Sequence, residues 1–197
     1  MGSPDRTAIG RTEPPIRHHC SVALAQDAGD GCIDFPISWK GIAMSDIDKD
    51  KVVAVLNRLL EMELAGVVRY THYSLLVFGY ARIPIVSWMR EQANESLAHA
   101  QQVGEWITHL GAYPSLAIGP LLDSHKLDIG DILRESLEAE GAALTSYREL
   151  LELVKDRSVV LEEFARQMVF AEEAHLGEVD KMLRKPGQLA AVSPRKP

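Results

Sequence analysis

The 197-residue sequence lacks most features of secreted, membrane and nucleic-acid-binding proteins. It has only two cysteines, Cys20 and Cys32, which give no disulfide framework and fit a reducing cytoplasm. Its most apolar stretch, between Arg69 and Arg82, has 12 uncharged residues, whereas a membrane span needs about 20. No long run of lysine or arginine occurs, and a net charge of −7 repels phosphate backbones. These absences leave a globular protein that attracts cations, without a membrane or nucleic-acid partner.

The chain is long enough for one domain with a substantial core. Residues 1–43 are rich in glycine, proline and aspartate, and they show no sustained period. We interpret them as an irregular N-terminal extension that the fold does not need, with a natural start at Met44. Ser45 or Asp46 is the predicted N-cap of the first helix. Residues 44–186 are the predicted domain, and residues 187–197 are a tail.

Four long helical patterns fill the predicted domain, and no strand pattern competes with them. They cover about 46–80, about 84–111 with Pro84 near the first position, about 128–155, and a fourth stretch that ends before Pro186. Short turns within each pair predict two antiparallel hairpins. The connection over residues 111–127 is long enough to cross a bundle. The sequence therefore predicts an all-α fold, a four-helix bundle with one long crossover.

Each predicted helix has an inward line of residues, spaced three and four apart, that is apolar except near its middle. In the second helix this line runs through Trp88, Gln92, Glu95, His99, Val103, Trp106 and Leu110. Near their middles the four lines carry Glu63, Glu95 with His99, Glu140, and Glu172 with His175. Four glutamates and two histidines are thus expected to face one another across the bundle.

Burying four carboxylates without partners would cost several kcal/mol each. Two divalent metals would supply four positive charges against them, with the histidines as additional ligands. Alternatively, each glutamate reaches solvent or pairs with a nearby arginine. The 32-residue spacing from Glu63 to Glu95 recurs from Glu140 to Glu172, so each hairpin presents one lone glutamate and one glutamate with a histidine. This composition is typical of di-iron carboxylate bundles.

Four segments resemble the four helices of bacterioferritin, namely residues 56–70, 96–111, 133–150 and 171–183. The resemblance covers roughly residues 46–186. It implies a ferritin-like fold with a ferroxidase centre that holds two iron ions per chain. By matching position it also implies that the iron ligands include Glu63, His99, Glu140, Glu172 and His175. Tyr70 matches a tyrosine near the family's iron site, although a core tyrosine is an equal alternative.

The sequence departs from this family in three places. Ser96 occupies the acid position of the family's Glu-x-x-His motif, so we take Glu95, one residue earlier on the same face, as the sixth ligand. Leu97 replaces the methionine that holds haem, and leucine cannot ligate iron, so haem is not expected. A fifth helix is not expected after Pro186, which leaves the size of the homo-oligomer open.

The predicted function is the oxidation of Fe(II) by dioxygen or hydrogen peroxide, for iron storage or detoxification in the cytoplasm. A rubrerythrin-like peroxidase is a weaker alternative, because no Cys-x-x-Cys pair follows the bundle. A structural bundle that its metals merely staple remains open. A DNA-coating mini-ferritin is disfavoured, because those proteins place their ligands between subunits.

Overall fold

The computed structural model describes residues 46–121 and 124–191. Within these ranges the chain forms four α-helices and contains no β-strand. The helices are α1 (Lys49–Leu76), α2 (Arg82–His109), α3 (Ile129–Val154) and α4 (Val159–Leu183). None of these four combines the length and hydropathy that a membrane crossing requires. The predicted all-α fold is confirmed, whereas the predicted extension over residues 1–43 lies outside the described residues.

Aspartate side chains cap the first and third helices. The backbone N–H of Lys51 donates a hydrogen bond to Asp48 at 3.2 Å, and Asp128 caps α3 in the same way. Each cap satisfies one of the amides that a first helical turn leaves unpaired. Helix α1 therefore begins after Asp48, and the predicted cap at Asp46 is wrong. The other predicted cap, Ser45, lies outside the described residues.

The two hairpin turns use residues with positive φ. Gly79 has φ of 90° between α1 and α2, and Asp156 has φ of 59° between α3 and α4. Glycine adopts this left-handed region without a steric penalty, and aspartate tolerates it. Helix α2 begins at Arg82, so Pro84 is its third residue and not its first. Proline is accommodated there because amides of the first turn have no partner within the helix.

The helices pack as two hairpins. Helix α1 packs against α2, α3 packs against α4, and α1 also packs against α3. Contacts between α1 and α3 run in opposite order along the two helices: Glu63 meets Tyr147, whereas Tyr70 meets Glu140. Helices α1 and α3 are therefore antiparallel. The packing of α1 against α2 and of α3 against α4 confirms the two predicted hairpins.

The connection between α2 and α3 follows α1 along most of its length. Near its start the backbone N–H of Ser115 donates to Asn57 at 2.7 Å. Near its end the hydroxyl of Ser124 lies 3.5 Å from that of Tyr73, more than four helical turns further along α1. The connection thus crosses the length of the bundle, as the sequence predicts.

Gly119 lets this connection lie directly against α1. Its backbone N–H donates to the carbonyl oxygen of Glu61 at 2.8 Å. A Cβ atom at residue 119 would lie 2.9 Å from the same oxygen. Real Cβ atoms do not approach a backbone oxygen so closely, so only glycine fits here without a shift.

Two clusters of buried apolar residues lie on either side of the middle of the bundle. The larger one draws on all four helices and includes Leu56, Leu59, Val103, Leu150 and Phe164. The smaller one contains Tyr70, Tyr73, Val77, Val86, Met89, Ala93 and Ile132. The intervening turns of the helices carry the polar side chains that form the candidate site.

The predicted inward line of helix α2 is only partly buried. Its buried residues are Val86, Met89, Ala93, Ser96, Ala100, Val103 and Ile107. Of the predicted line, Val103 and Leu110 are buried, whereas Trp88, Gln92, His99 and Trp106 are half-buried and Glu95 is exposed. The prediction followed the large and charged side chains. Small residues also take buried positions on α2, and one of them, Ser96, lies where α1 approaches closely at Gly66.

Candidate metal centre

Three glutamates from three helices are buried at the middle of the bundle. Glu63 of α1, Glu140 of α3 and Glu172 of α4 expose 5%, 8% and 3% of their surfaces. His99 of α2 and His175 of α4 lie beside them and are half-buried. Together with Glu95, Gln92 and Ser96, these five residues border one cavity of about 10 Å³. Such a cavity has room for about one water molecule or one metal ion.

Glu63, His99 and Glu172 form a group that is suited to one metal ion. Each offers one ligand atom, and these three atoms lie within 4.8 Å of one another. Nδ1 of His99 lies 3.3 Å from Oε1 of Glu172 and 3.6 Å from Oε1 of Glu63. Two carboxylates with one imidazole are a donor set that suits iron, manganese or zinc.

A proton on His99 balances part of the negative charge of this group. Burial alone would lower the pKa of His99, but hydrogen bonding and attraction to Glu172 and Glu63 outweigh it and raise the pKa to about 10. Burial, with repulsion from Glu63 and Glu140, raises the pKa of Glu172 to about 7 despite the nearby imidazole. Because a metal ligand must be a neutral imidazole, a metal that binds here has to displace the proton of His99.

Tyr147 of α3 orients Glu63. Its hydroxyl donates a hydrogen bond to Oε1 of Glu63 at 2.7 Å. Burial, together with the negative charge of Glu63, raises the pKa of Tyr147 well above its ordinary value. The hydroxyl therefore keeps its proton and remains a donor.

Glu140 lies in a different set of contacts on the other side of the cavity. Its Oε1 accepts a hydrogen bond from the Tyr70 hydroxyl at 2.9 Å and lies 3.3 Å from Nη2 of Arg69. The Tyr70 hydroxyl also lies 3.1 Å from Nε2 of His175. Tyr70 thus lies between two of the predicted ligands and contacts both of them, as expected of a tyrosine at the site.

Ser96, and not Glu95, points towards α1. Ser96 is 7% exposed, and a Cβ atom built on Gly66 would lie 2.7 Å from its Oγ atom. The two helices therefore meet at a pair of small residues. Glu95 borders the cavity from an exposed position. It does not belong to the group of three residues whose ligand atoms lie within 4.8 Å of one another. Its role as the sixth ligand stays a prediction.

Arg69 is the residue of the centre that the sequence analysis missed. The possibility that a buried glutamate pairs with an arginine applies to Glu140. The sequence carries one signal for this arginine: over residues 64–81, Arg69 is the only residue among Asp, Glu, Lys and Arg. Tyr147 lies on the inward line of α3, seven residues after Glu140, and spacing alone does not tell a hydrogen-bond donor from a packing residue.

A protein-family model described as a ferritin-like domain matches residues 53–188, more than half of the chain. The chain belongs to the ferritin-like family. Bacterioferritin of Desulfovibrio desulfuricans is 27% identical over 132 residues, which cover 65% of this chain and 72% of that protein. The predicted resemblance to bacterioferritin is thereby confirmed.

Solved structures of this family share the fold. A ferritin-like, diiron-carboxylate protein from Bacillus anthracis strain Ames superposes with a TM-score of 0.65 at 22% identity, covering 70% of this chain and 98% of that one. A dodecameric thioferritin from Bacteroides fragilis, described as bacterioferritin-related, gives a TM-score of 0.67 at 22% identity, with coverage of 72% and 89%. At such identities these likenesses establish the architecture alone.

Proposed function

We propose that this protein is a ferroxidase of the ferritin type, which oxidises Fe(II) to Fe(III) for iron storage or detoxification. The observation that carries the proposal is the convergence of Glu63, His99 and Glu172 in the buried middle of a ferritin-like bundle. Membership of the same family as bacterioferritin supports iron as the metal.

The chemistry of the donor set favours oxidation. Fe(III) carries one more positive charge than Fe(II), so buried carboxylates stabilise the product more than the substrate. Each Fe(II) loses one electron, and dioxygen or hydrogen peroxide accepts it. Burial limits the access of bulk water and strengthens the attraction between the metal and the carboxylates.

The proposed ligands are the six residues that the sequence indicates: Glu63, Glu95, His99, Glu140, Glu172 and His175. Two irons per chain are proposed, one at Glu63, His99 and Glu172, the other near Glu140 and His175. Glu95 would join the second position from its exposed place beside the cavity. The diiron-carboxylate description of the Bacillus anthracis protein supports a dinuclear site.

A homo-oligomer in the cytoplasm without haem is also part of this proposal. The Bacteroides fragilis relative is a dodecamer, which supports an assembly smaller than the largest ferritin cages. Leu97 is exposed on α2 at the position of the family's haem-binding methionine, and its side chain offers no ligand atom.

The test is an anaerobic titration of the metal-stripped protein with Fe(II), followed by air or hydrogen peroxide. We expect the near-ultraviolet absorbance of ferric iron to appear faster than in a protein-free control, and Glu172→Ala to abolish this acceleration. A bundle that metals merely staple would instead bind the metal and melt at a higher temperature, without faster oxidation. That result would reject the ferroxidase proposal.

A further inference from the structure

A nearly buried arginine reaches the metal centre from α1. The side chain of Arg69 is 13% exposed, and its Nη2 lies 3.3 Å from Oε1 of Glu140. Its guanidinium also lies 5.6 Å from the centre of the Tyr70 ring. The buried Nε of Arg69 has no hydrogen-bond partner among the described residues. The arginine is thus held mainly by Glu140, with part of its hydrogen-bonding capacity unused.

His175, the other proposed ligand at the second iron position, also has a contact in the structure. Tyr70 has a single hydroxyl proton, and it donates this proton to Glu140. The 3.1 Å contact between the Tyr70 oxygen and Nε2 of His175 therefore requires a proton on that nitrogen. A histidine nitrogen that carries a proton cannot bind a metal. In this arrangement Arg69 and Tyr70 occupy Oε1 of Glu140 and Nε2 of His175, so a metal can bind through these two atoms only after the contacts break.

The group formed by Glu63, His99 and Glu172 is arranged differently. Its three ligand atoms already converge within 4.8 Å, and no arginine is paired with Glu63 or Glu172 in the described part of the chain. The hydrogen bond from Tyr147 to Glu63 occupies only one of several lone pairs of that carboxylate. This group can therefore take a metal once His99 loses its proton.

The buried charge at the centre also favours one divalent cation. Glu63, Glu140 and Glu172 contribute three negative charges, and Arg69 returns one positive charge, which leaves −2 when His99 is neutral. At the acid position of the family's motif this chain has Ser96, which contributes no charge. One divalent metal balances this buried total, whereas a second would leave an excess of positive charge that the exposed Glu95 could offset only in part.

We propose that Arg69 takes the place of a second cation, which makes the two iron positions unequal. The first metal binds tightly at Glu63, His99 and Glu172. The second metal binds near Glu140 and His175 only when Arg69 releases Glu140, so the arginine sets the occupancy of the second position. This inference rests on the proposed site but not on iron oxidation.

The structure provides room for this release. A cavity of about 90 Å³ borders Arg69, Glu140, Gly66 and Ser96 and reaches the connection at Pro120. This space lies beside the guanidinium, which gives the side chain a place to move to when it releases Glu140. The absence of a large side chain at Gly66 and Ser96 keeps the space open.

The test is a titration of the metal-stripped full chain with cobalt(II), which air does not readily oxidise and whose visible spectrum reports its ligands. In the wild type we expect one tight equivalent and a much weaker second one. Arg69→Gln should tighten the second equivalent by roughly 10- to 100-fold, the value of one charge-assisted hydrogen bond, and leave the first unchanged. Arg69→Lys keeps the positive charge and should keep the inequality.

Arg58→Gln is the matched control, because Arg58 lies on the same helix but pairs with Glu149 at the surface. It removes the same charge without touching the centre, and we expect it to change neither equivalent. If Arg69→Gln does not fold, as judged by helical circular dichroism, Arg69→Met gives the same comparison with an apolar side chain of similar reach.

Two equivalents of equal affinity in the wild type would overturn the inference, whatever the rate of iron oxidation. A second equivalent that is weak but unaffected by the removal of Arg69 would overturn it as well. Unequal equivalents that respond to Arg69, in a protein that does not oxidise Fe(II), would support the inference while rejecting the ferroxidase proposal.

Discussion

At the scale of single residues, the hydrogen bond from Tyr147 fixes the orientation of Glu63. Tyr147→Phe removes this donor but keeps the buried ring, so the fold should be retained. We expect the affinity of the first cobalt(II) equivalent to fall by about 10- to 100-fold, as for other groups that orient a metal ligand. Tyr113→Phe, at an exposed tyrosine, is the control. An unchanged first equivalent would show that Tyr147 serves packing alone.

Glu95 is the one exposed residue among the six proposed ligands, and its role at the site can be tested directly. If it completes the second iron position, Glu95→Ala should slow Fe(II) oxidation by more than about tenfold, as Glu172→Ala should, because oxidation at a dinuclear site needs both metals. Stopped-flow measurement of ferric absorbance would compare the two variants. A full rate in Glu95→Ala would remove this residue from the site.

Glu91 is the natural comparison for Glu95. It lies about one helical turn earlier on α2, is exposed, and accepts a hydrogen bond from Ser87 at 3.4 Å. Glu91→Ala should leave the oxidation rate unchanged. A slow Glu91→Ala variant beside a normal Glu95→Ala variant would instead assign the missing carboxylate to Glu91.

At the scale of secondary-structure elements, the crossing connection depends on Gly119. A methyl group at residue 119 would lie 2.9 Å from the carbonyl oxygen of Glu61, so the connection must shift away from α1. We expect Gly119→Ala to lower the free energy of unfolding by about 1–3 kcal/mol, the usual cost of overpacking. Urea denaturation would measure it, provided the wild type unfolds reversibly.

Gly104→Ala provides the matched control for this prediction. Gly104 lies within α2, and a Cβ atom there would meet no atom within 4 Å. Alanine favours the helix over glycine by about 0.5–1 kcal/mol, so this variant should be neutral or more stable. Equal effects of the two substitutions would contradict the specific contact at Gly119.

The four helices and their pairing could be predicted from the sequence because long periodic patterns and short turns constrain them strongly. The inward face of α2 could be predicted only in part. Its pattern has large residues at Trp88 and Trp106, whereas the close approach of α1 at Gly66 brings Ser96 to the interface. Which line is buried thus depends on the partner helix, and a single helix pattern does not contain that information.

The glutamates of the centre were predictable for a different reason. A charge in the middle of an apolar line is costly, so its presence indicates a partner. The identity of that partner was not predictable for Glu140. The side chain of Arg69 reaches it from α1 to α3, and such a contact follows only once the neighbouring helices and their antiparallel direction are known.

At the scale of the whole molecule, the buried carboxylates oppose folding unless protons or metals balance them. The pKa of Glu172 is raised from 4.5 to about 7, first by burial and then by repulsion from Glu63 and Glu140, which outweigh the neighbouring imidazole. The pKa of His99 is raised from 6.5 to about 10 by Glu172 and Glu63, against the effect of burial. At pH values between 4.5 and about 10, the folded metal-free chain therefore binds more protons at these two residues than the unfolded chain does. Its stability must therefore fall as pH rises through this window.

We therefore expect metal-stripped protein to be less stable at about pH 9 than at about pH 5, because the slope of stability against pH has the sign of the difference in bound protons. Glu172→Gln, which cannot lose a proton at this position, should show a smaller loss over the same range. Bound divalent metal replaces the protons, so it should raise stability more at the higher pH. Urea denaturation with and without cobalt(II) at both pH values measures all three effects. Metal-free stability that instead rises over this range, equally in wild type and Glu172→Gln, would contradict a buried carboxylate cluster that depends on protons or metals.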